Sequence, residues 1–333
     1  MPSIADLNVR ISLTDEASSG LDAMGNKVDQ TAEQINQRGN LGALMVGGGM
    51  VAAGRAADRI MDAGISKAMD YSQAIADLYA VGGAEAIKHQ DAIDRKIREV
   101  AANTKFNQTE TAQGWTELSK AGLDYQDITE GALQASLELA SAGDISVPDA
   151  AMETARNLTV FGDRVQYATD RANDGIIDTT DKLEHMNDVM VQASNISPAS
   201  VAGLSDSMEK GSGSLSAIGQ DYETGMALLT AAAFQGSLGQ EAGTNMKSAI
   251  NGILKNNEDI KEATGVSLFD DQGNAKDLID YFTELDKATE HMSEGERAAN
   301  FLDWFDSYGQ KFAQRMVDYD DLTGESLGDL EKR

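Results

Sequence analysis

The side chains best suited to moving a proton near neutral pH are His89, His185 and His291, and the chain has no cysteine at all. The three histidines lie far apart, and none falls in the His-Glu-x-x-His spacing that sets two imidazoles on one helix face around a zinc ion. Without a thiol there is neither a Cys/His nucleophile pair nor a disulfide nor a Cys-based metal site, which leaves the redox compartment open. The 55 acidic residues yield many accidental carboxylate pairs, Glu117 and Asp124 among them, so spacing alone singles out no glycoside-cleaving pair. The expectation is a chain with no catalytic residue, no metal and no cofactor.

Two further stretches could bind ligands. Gly49-Met-Val-Ala-Ala-Gly54 has the glycine spacing of a phosphate loop, but Arg55 and Ala56 stand where lysine and a hydroxyl residue would have to be. The turn Asp270-Asp271-Gln272-Gly273-Asn274 is acidic, yet it misses the alternating ligand register of a calcium loop and reads as a plain turn.

The elements around these residues are mostly helical. Only three prolines, Pro2, Pro148 and Pro198, interrupt a composition that favours helix. Leu7, Val9, Ile11 and Leu13 alternate as a half-buried strand would, and Thr14, Asp15 and Glu16 open a helix expected to run to about Arg38. From about Ala56 to Ala101 the pattern is helical again, broken at Gly82-Gly83, with Ile87, Ile93, Ile97 and Val100 on an apolar side.

Shorter helices follow, predicted over Asn107–Ala121, Tyr125–Ser141, Val147–Phe161, Lys182–Ala193, Pro198–Ala217, Asp221–Phe234 and Gln240–Leu254. Asp124, Ser146, Ser197 and Gln220 lie near helix starts, and Pro148 and Pro198 suit a first turn. Val266 and Leu268 alternate before the acidic turn, which predicts a small β-hairpin or an irregular β turn. The fold expected is mainly α: elongated N-terminal helices, then a compact multi-helix core domain carrying that hairpin. The domains expected are 1–106, with the strand, the elongated helices and the small-residue segment; 107–290, the helical core; and 291–333, a helical C-terminal extension.

Two apolar features find no chemical use and are candidates for packing or oligomerisation. The first is "NLGALMVGGGMVAAGRAADRI", uncharged from Leu41 to Gly54, where Gly42, Gly47, Gly48, Gly49 and Gly54 would let helix backbones approach closely. It is too short for an ordinary membrane span. The second is "NFLDWFDSYGQKF", in which Phe301, Trp304, Phe305 and Tyr308 form an aromatic stripe suited to a core or to a docking face.

Charge narrows the partners. A formal net charge of −28 opposes approach to nucleic acid and to anionic lipid, so sequence-specific DNA binding is not expected. The N-terminus lacks the basic-then-apolar pattern of a Sec signal peptide.

The segments "GWTELSKAGLDYQDITEGALQASLELASAGDISVPDAAMETARNLTVFG", "MNDVMVQASNISPASVAGLSDSMEKGSGSLSAIGQDYETGMALLTAAAFQGSLGQEAGTNMKSAINGIL" and "TGVSLFDDQGNAKDLIDYFTEL" occur in that order. In order and content they resemble the conserved core of the phage tail tape measure protein family, over roughly Glu110 to Leu285. The matching blocks include Leu118-Ser-Lys-Ala-Gly122, Leu139-Ala-Ser-Ala142, Phe161-Gly162, and the pair Gly236-Ser237 and Ala242-Gly243-Thr244 with Leu238 to Glu241 between its halves. The stretch Asp163 to Glu184 looks expanded relative to the family.

The resemblance implies a multi-copy structural protein of the virion, lying in the lumen of the tail tube. Tube subunits polymerise on it, its length limits the tail, and it leaves before or with the DNA. Implied partners are further copies of itself, the tail-tube protein, tail assembly chaperones, baseplate or tail-tip proteins, and the host membrane during ejection. The rival reading is a secreted helical effector or a membrane-active, pore-forming protein. No long heptad or repeated helical segment that could act as a ruler occurs before Arg333, so the ruling segment is expected beyond it.

Overall fold

The computed structural model describes residues 49–162, 164–165 and 179–332, with the backbone alone described over 49–65. The expected strand Leu7–Leu13, the helix that follows it, Gly42, Gly47, Gly48 and much of the expanded stretch after Asp163 lie outside the described residues. The chain divides into two compact units, 1–80 and 81–333.

In the first unit the described residues belong to α1 (Gly49–Lys88), which buries Ala74, Ile75 and Leu78 at helical spacing. Gly49 and Gly54 are helical, so the phosphate-loop-like spacing carries no loop. The last turns of α1 belong to the second unit and bend at Gly83, whose φ of 57° a side chain would resist. After His89, α2 (Gln90–Asn103) buries Ile93, Ile97 and Val100. Ile87 stays exposed, because the break at His89 puts it out of register with that face.

Several helices of the second unit start at side chains that satisfy their free N–H groups. Asn107 and Glu110 form a capping box for α3 (Gln108–Lys120). Asp124 caps the short α4 (Tyr125–Asp127), which passes through a π-helical turn at Ile128–Ala132 into α5 (Leu133–Gly143). Ser146 caps α6 (Val147–Phe161), with Pro148 in its first turn as expected.

Helix α7 (Thr179–Ile196) precedes α8 (Val201–Ala217), which Ser200 caps rather than Ser197. The Ser197 hydroxyl instead bonds the Ala193 carbonyl and the Ala199 N–H, so Pro198 sits in a turn and not in the helix. Asp221, not Gln220, caps α9 (Tyr222–Phe234).

Helix α10 (Gly239–Thr264) begins inside the interval between the two halves of the glycine-and-hydroxyl block, which is therefore a tight turn running into a helix. Then come α11 (Leu278–Thr289), α12 (Glu294–Val317), α13 (Tyr319–Thr323) and α14 (Leu327–Glu331).

The fold is mostly α, and the expected hairpin reduces to a single antiparallel bridge, Phe269 to Ala275. Its backbone is drawn into other bonds: Leu268 N–H donates to the Asn257 side chain, and Asp270 Oδ1 accepts from Gln272 and Asn274 N–H. A two-strand ladder cannot extend past those side-chain contacts.

Helix α9 is the centre of the unit. Every residue from Tyr222 to Ala233 is buried, as a helix apolar on all sides requires. Around it, α10 packs most extensively on α12 and α8, while α3 packs on α6. These crossings are close because glycine lines them. A Cβ on Gly243 would overlap the Ser207 carbonyl oxygen, one on Gly309 would lie 2.7 Å from Ala249 N, and one on Gly252 would lie 2.7 Å from the Trp304 carbonyl oxygen. Residues 294–317, expected in a C-terminal extension, thus lie along the core.

Candidate functional site

The N-terminal turn of α9 gathers polar groups from four directions. Asp221 accepts the Thr224 N–H at 2.8 Å, and the Thr224 hydroxyl lies 2.8 Å from Asp277 Oδ2 and 3.0 Å from Glu331 Oε1. The Gln220 side chain donates to the Lys276 carbonyl and accepts the Leu278 N–H, which ties the start of α11 to the start of α9. From α7, His185 Nε2 lies 2.8 Å from Glu223 Oε1. On the α6 side, Phe161 meets the Tyr222 ring edge-on at 5.5 Å, and Asn157 Nδ2 donates to the Tyr222 hydroxyl.

Next to this turn a cavity of about 570 Å³ opens between α7, α9 and α14, with an apolar wall of Val189, Ile196, Met226 and Ala227 and with His185, Glu223 and Glu331 at its polar edge.

Burial governs the electrostatics. It pushes the carboxyls of Asp221 and Glu331 above the usual carboxylate range, against the hydrogen bonds from Thr224 that lower them. Burial also raises the Tyr222 phenol well above its ordinary value, with Glu153 and Glu223 adding to the effect. On α6, Glu153 is raised mainly by burial even though it accepts from Ser205 and pairs with Arg156 at 2.7 Å. Buried acids next to hydroxyls hold helices together here.

The other candidates disperse. His89 stacks on Tyr125 at 4.2 Å and lies 3.1 Å from Glu85 Oε1. Glu117 pairs with Lys120 at 2.7 Å, and Asp124 caps α4, so each of these two acids has a local structural task. Among the described residues there is no group of three or more His, Cys, Asp or Glu placed to hold a metal ion, and no helix is long and apolar enough to cross a membrane.

Within the aromatic stripe, Phe301, Trp304 and Phe305 are buried at the α10–α12 crossing and pack on one another edge-on or tilted. Tyr308 is 57% exposed, with Lys311 Nζ over its ring at 5.8 Å. Gly49 and Gly54 lie in α1, away from that stripe in sequence and in a different unit. Sequence reasoning missed the close-packing glycines at 243, 252 and 309, although all three stood in quoted stretches. Helical spacing does not reveal which face of a helix meets another backbone.

Residues 94–306 match the family described as phage-related minor tail protein, which is more than half of the chain. A protein of Pneumococcus phage Dp-1 named "Tape measure protein" is 25% identical over 270 residues, covering 80% of this chain and 22% of its own length. This chain therefore spans about a fifth of that relative. No solved structure matches.

Proposed function

Because the chain belongs to the phage-related minor tail protein family, we propose that it is the folded helical part of a tail tape measure protein. On this reading tube subunits assemble around several copies, helped by chaperones. The protein occupies the tube lumen in contact with baseplate or tail-tip proteins, and it departs with the DNA. Its role is structural and not catalytic.

The observation that carries the reading is the overlap of the family match with the folded unit: residues 94–306 take in the α9 core, the α8–α10 crossing and the first half of α12. The tape measure name of the relative supports the finer assignment. In the close-packing proposal for the first unit, Gly42, Gly47, Gly48, Gly49 and Gly54 let copies approach side by side. In the docking proposal for the second, Tyr308 is the member of the aromatic stripe left available to a neighbour.

The test is affinity capture of a tagged chain from infected cells during tail assembly. Tube subunits should co-purify with it, and the chain alone should sediment as an oligomer. A monomer that captures no tail protein would overturn the reading.

A further inference from the structure

The cavity of about 570 Å³ between α7, α9 and α14 is lined by whole helix faces. On α7, His185, Asp188, Gln192 and Ile196 follow three- and four-residue steps, which stack them along one side of that helix. On α9, Glu223, Met226 and Thr230 do the same. From His185 to Ile196 the lining extends about 16 Å along α7 at roughly 1.5 Å per residue, the length of several residues of peptide and more than a simple alkylamine spans. The volume falls within the range of about 300–1,000 Å³ of ligand pockets, whose mostly apolar linings carry a few converging polar groups.

Two chemistries meet in this lining. Val189, Ile196, Met226 and Leu330 present apolar surface, whose removal from water favours an apolar guest. Carboxyls converge at the edge from three elements: Asp188 on α7, Glu223 on α9 and Glu331 on α14. Against them stand one lysine, Lys332, and His185, whose Nε2 lies 2.8 Å from Glu223 Oε1. Burial first, then Asp277, Asp221 and Glu223, hold the Glu331 carboxyl above its ordinary range against the Thr224 hydroxyl that lowers it. Negative charge therefore dominates the field at that edge. An anionic guest adds to it, a neutral one leaves it as it is, and a cation relieves it.

We propose that this cavity is a docking pocket for an apolar segment of a partner protein that carries one lysine or arginine. Its apolar side chains lie on the α7–α9 wall, and its cation faces Asp188, Glu223 and Glu331. Such pairing selects among partners, because a segment with a carboxylate in the same place meets like charge. The pocket goes beyond the structural role proposed above, and binding by the chain alone decides it independently of tail assembly.

Fluorescence polarisation on the 333-residue chain tests it with a dye-labelled, end-blocked peptide of sequence Ala-Leu-Lys-Leu-Leu-Ala. The peptide should bind saturably. Replacing its lysine by glutamine should weaken binding about tenfold, and replacing it by glutamate or its leucines by serine should abolish binding. Ala227→Leu fills the pocket without altering net charge, so it should abolish binding while thermal unfolding shows an intact fold. Glu331→Gln removes one carboxyl at the edge, and in that variant the penalty for the lysine-to-glutamine exchange should shrink. Where Ala227→Leu does not fold, Glu331→Gln decides. No saturable binding, equal binding of the lysine and glutamine peptides, undiminished binding by folded Ala227→Leu, or an unchanged lysine-to-glutamine penalty in Glu331→Gln would each overturn the pocket. Competition by n-hexylammonium at the same concentration as the peptide would overturn the protein partner.

Discussion

Adding one methyl group at Gly243 would drive it into the Ser207 carbonyl oxygen, whereas a Cβ at Gly213 on α8 meets nothing within 4 Å. Gly243→Ala should therefore cost about 1–3 kcal/mol through forced separation of α8 and α10. Gly213→Ala should stabilise by about 0.5–1 kcal/mol, by restricting the unfolded chain within a helix. Urea denaturation of both variants checks the contrast, and equal midpoints would contradict it. The aromatic stripe divides in the same way. Phe305→Ala empties a fully buried site and should cost about 3–5 kcal/mol, while the exposed Tyr308→Ala should stay within about 0.5 kcal/mol of wild type. If Tyr308 docks a neighbour, its loss shows in sedimentation and not in denaturation. Asp286 supplies a pH dependence. Burial, then Glu290, Asp321 and Asp320, push its carboxyl up to about 6 against the pull of Arg297. Its favourable contribution is complete below the ordinary value and lost as pH rises through about 6. Asp286→Asn should accordingly raise stability at pH 7.5 and leave it nearly unchanged at pH 3.5, a gain that solvent screening holds to roughly 1 kcal/mol or less.

The element that most needs explaining is α12, because Asp306 sits inside it with φ 59° and ψ −176°. Ordinary L-residues avoid that region, so the residue must be held there by its contacts. Asp306 Oδ1 accepts from the Tyr308 and Gly309 N–H groups and Oδ2 from the Ser248 hydroxyl, so the side chain restarts the helix after the bend and ties it to α10. On α10, Asn256 leaves helical geometry and donates to the Trp304 carbonyl that the bend has freed. The two irregularities complete each other. Asp306→Ala keeps the strain and loses the cap, so it should cost more than Asp306→Gly, which loses the cap but relaxes the backbone, by about 1 kcal/mol. Thermal unfolding of the pair decides this. Helix existence was readable from apolar spacing: Val147–Phe161 is bounded as predicted because Ser146, Pro148 and the buried face all act locally. What was not readable depends on contacts across the chain. The hairpin shrank because Asn257 takes the Leu268 N–H, and the start of α8 moved because two serines compete for one cap. The polar turn around Thr224 joins residues 53 and 107 positions away, which no periodicity links.

At the scale of the molecule, the acidic balance of 55 against 27 suits the proposed function, in which the protein would share a tube with DNA and must not stick to it. At 50 mM salt the chain should retard no duplex in a gel-shift assay, and retardation that salt abolishes would contradict that reading. The folded unit cannot itself measure length as an extended rod. A single helix of 333 residues would reach about 500 Å at roughly 1.5 Å per residue, but the described helices from Gln90 on fold back around α9. Its proposed task is to start and hold the assembly on which the tube grows. The most direct measurement is electron microscopy of lysates from phage carrying an in-frame deletion of residues 81–333, scored for the number and length of tails. The account predicts filled heads with no normal tails, restored by supplying the intact gene in trans; tails of wild-type number and length would contradict it.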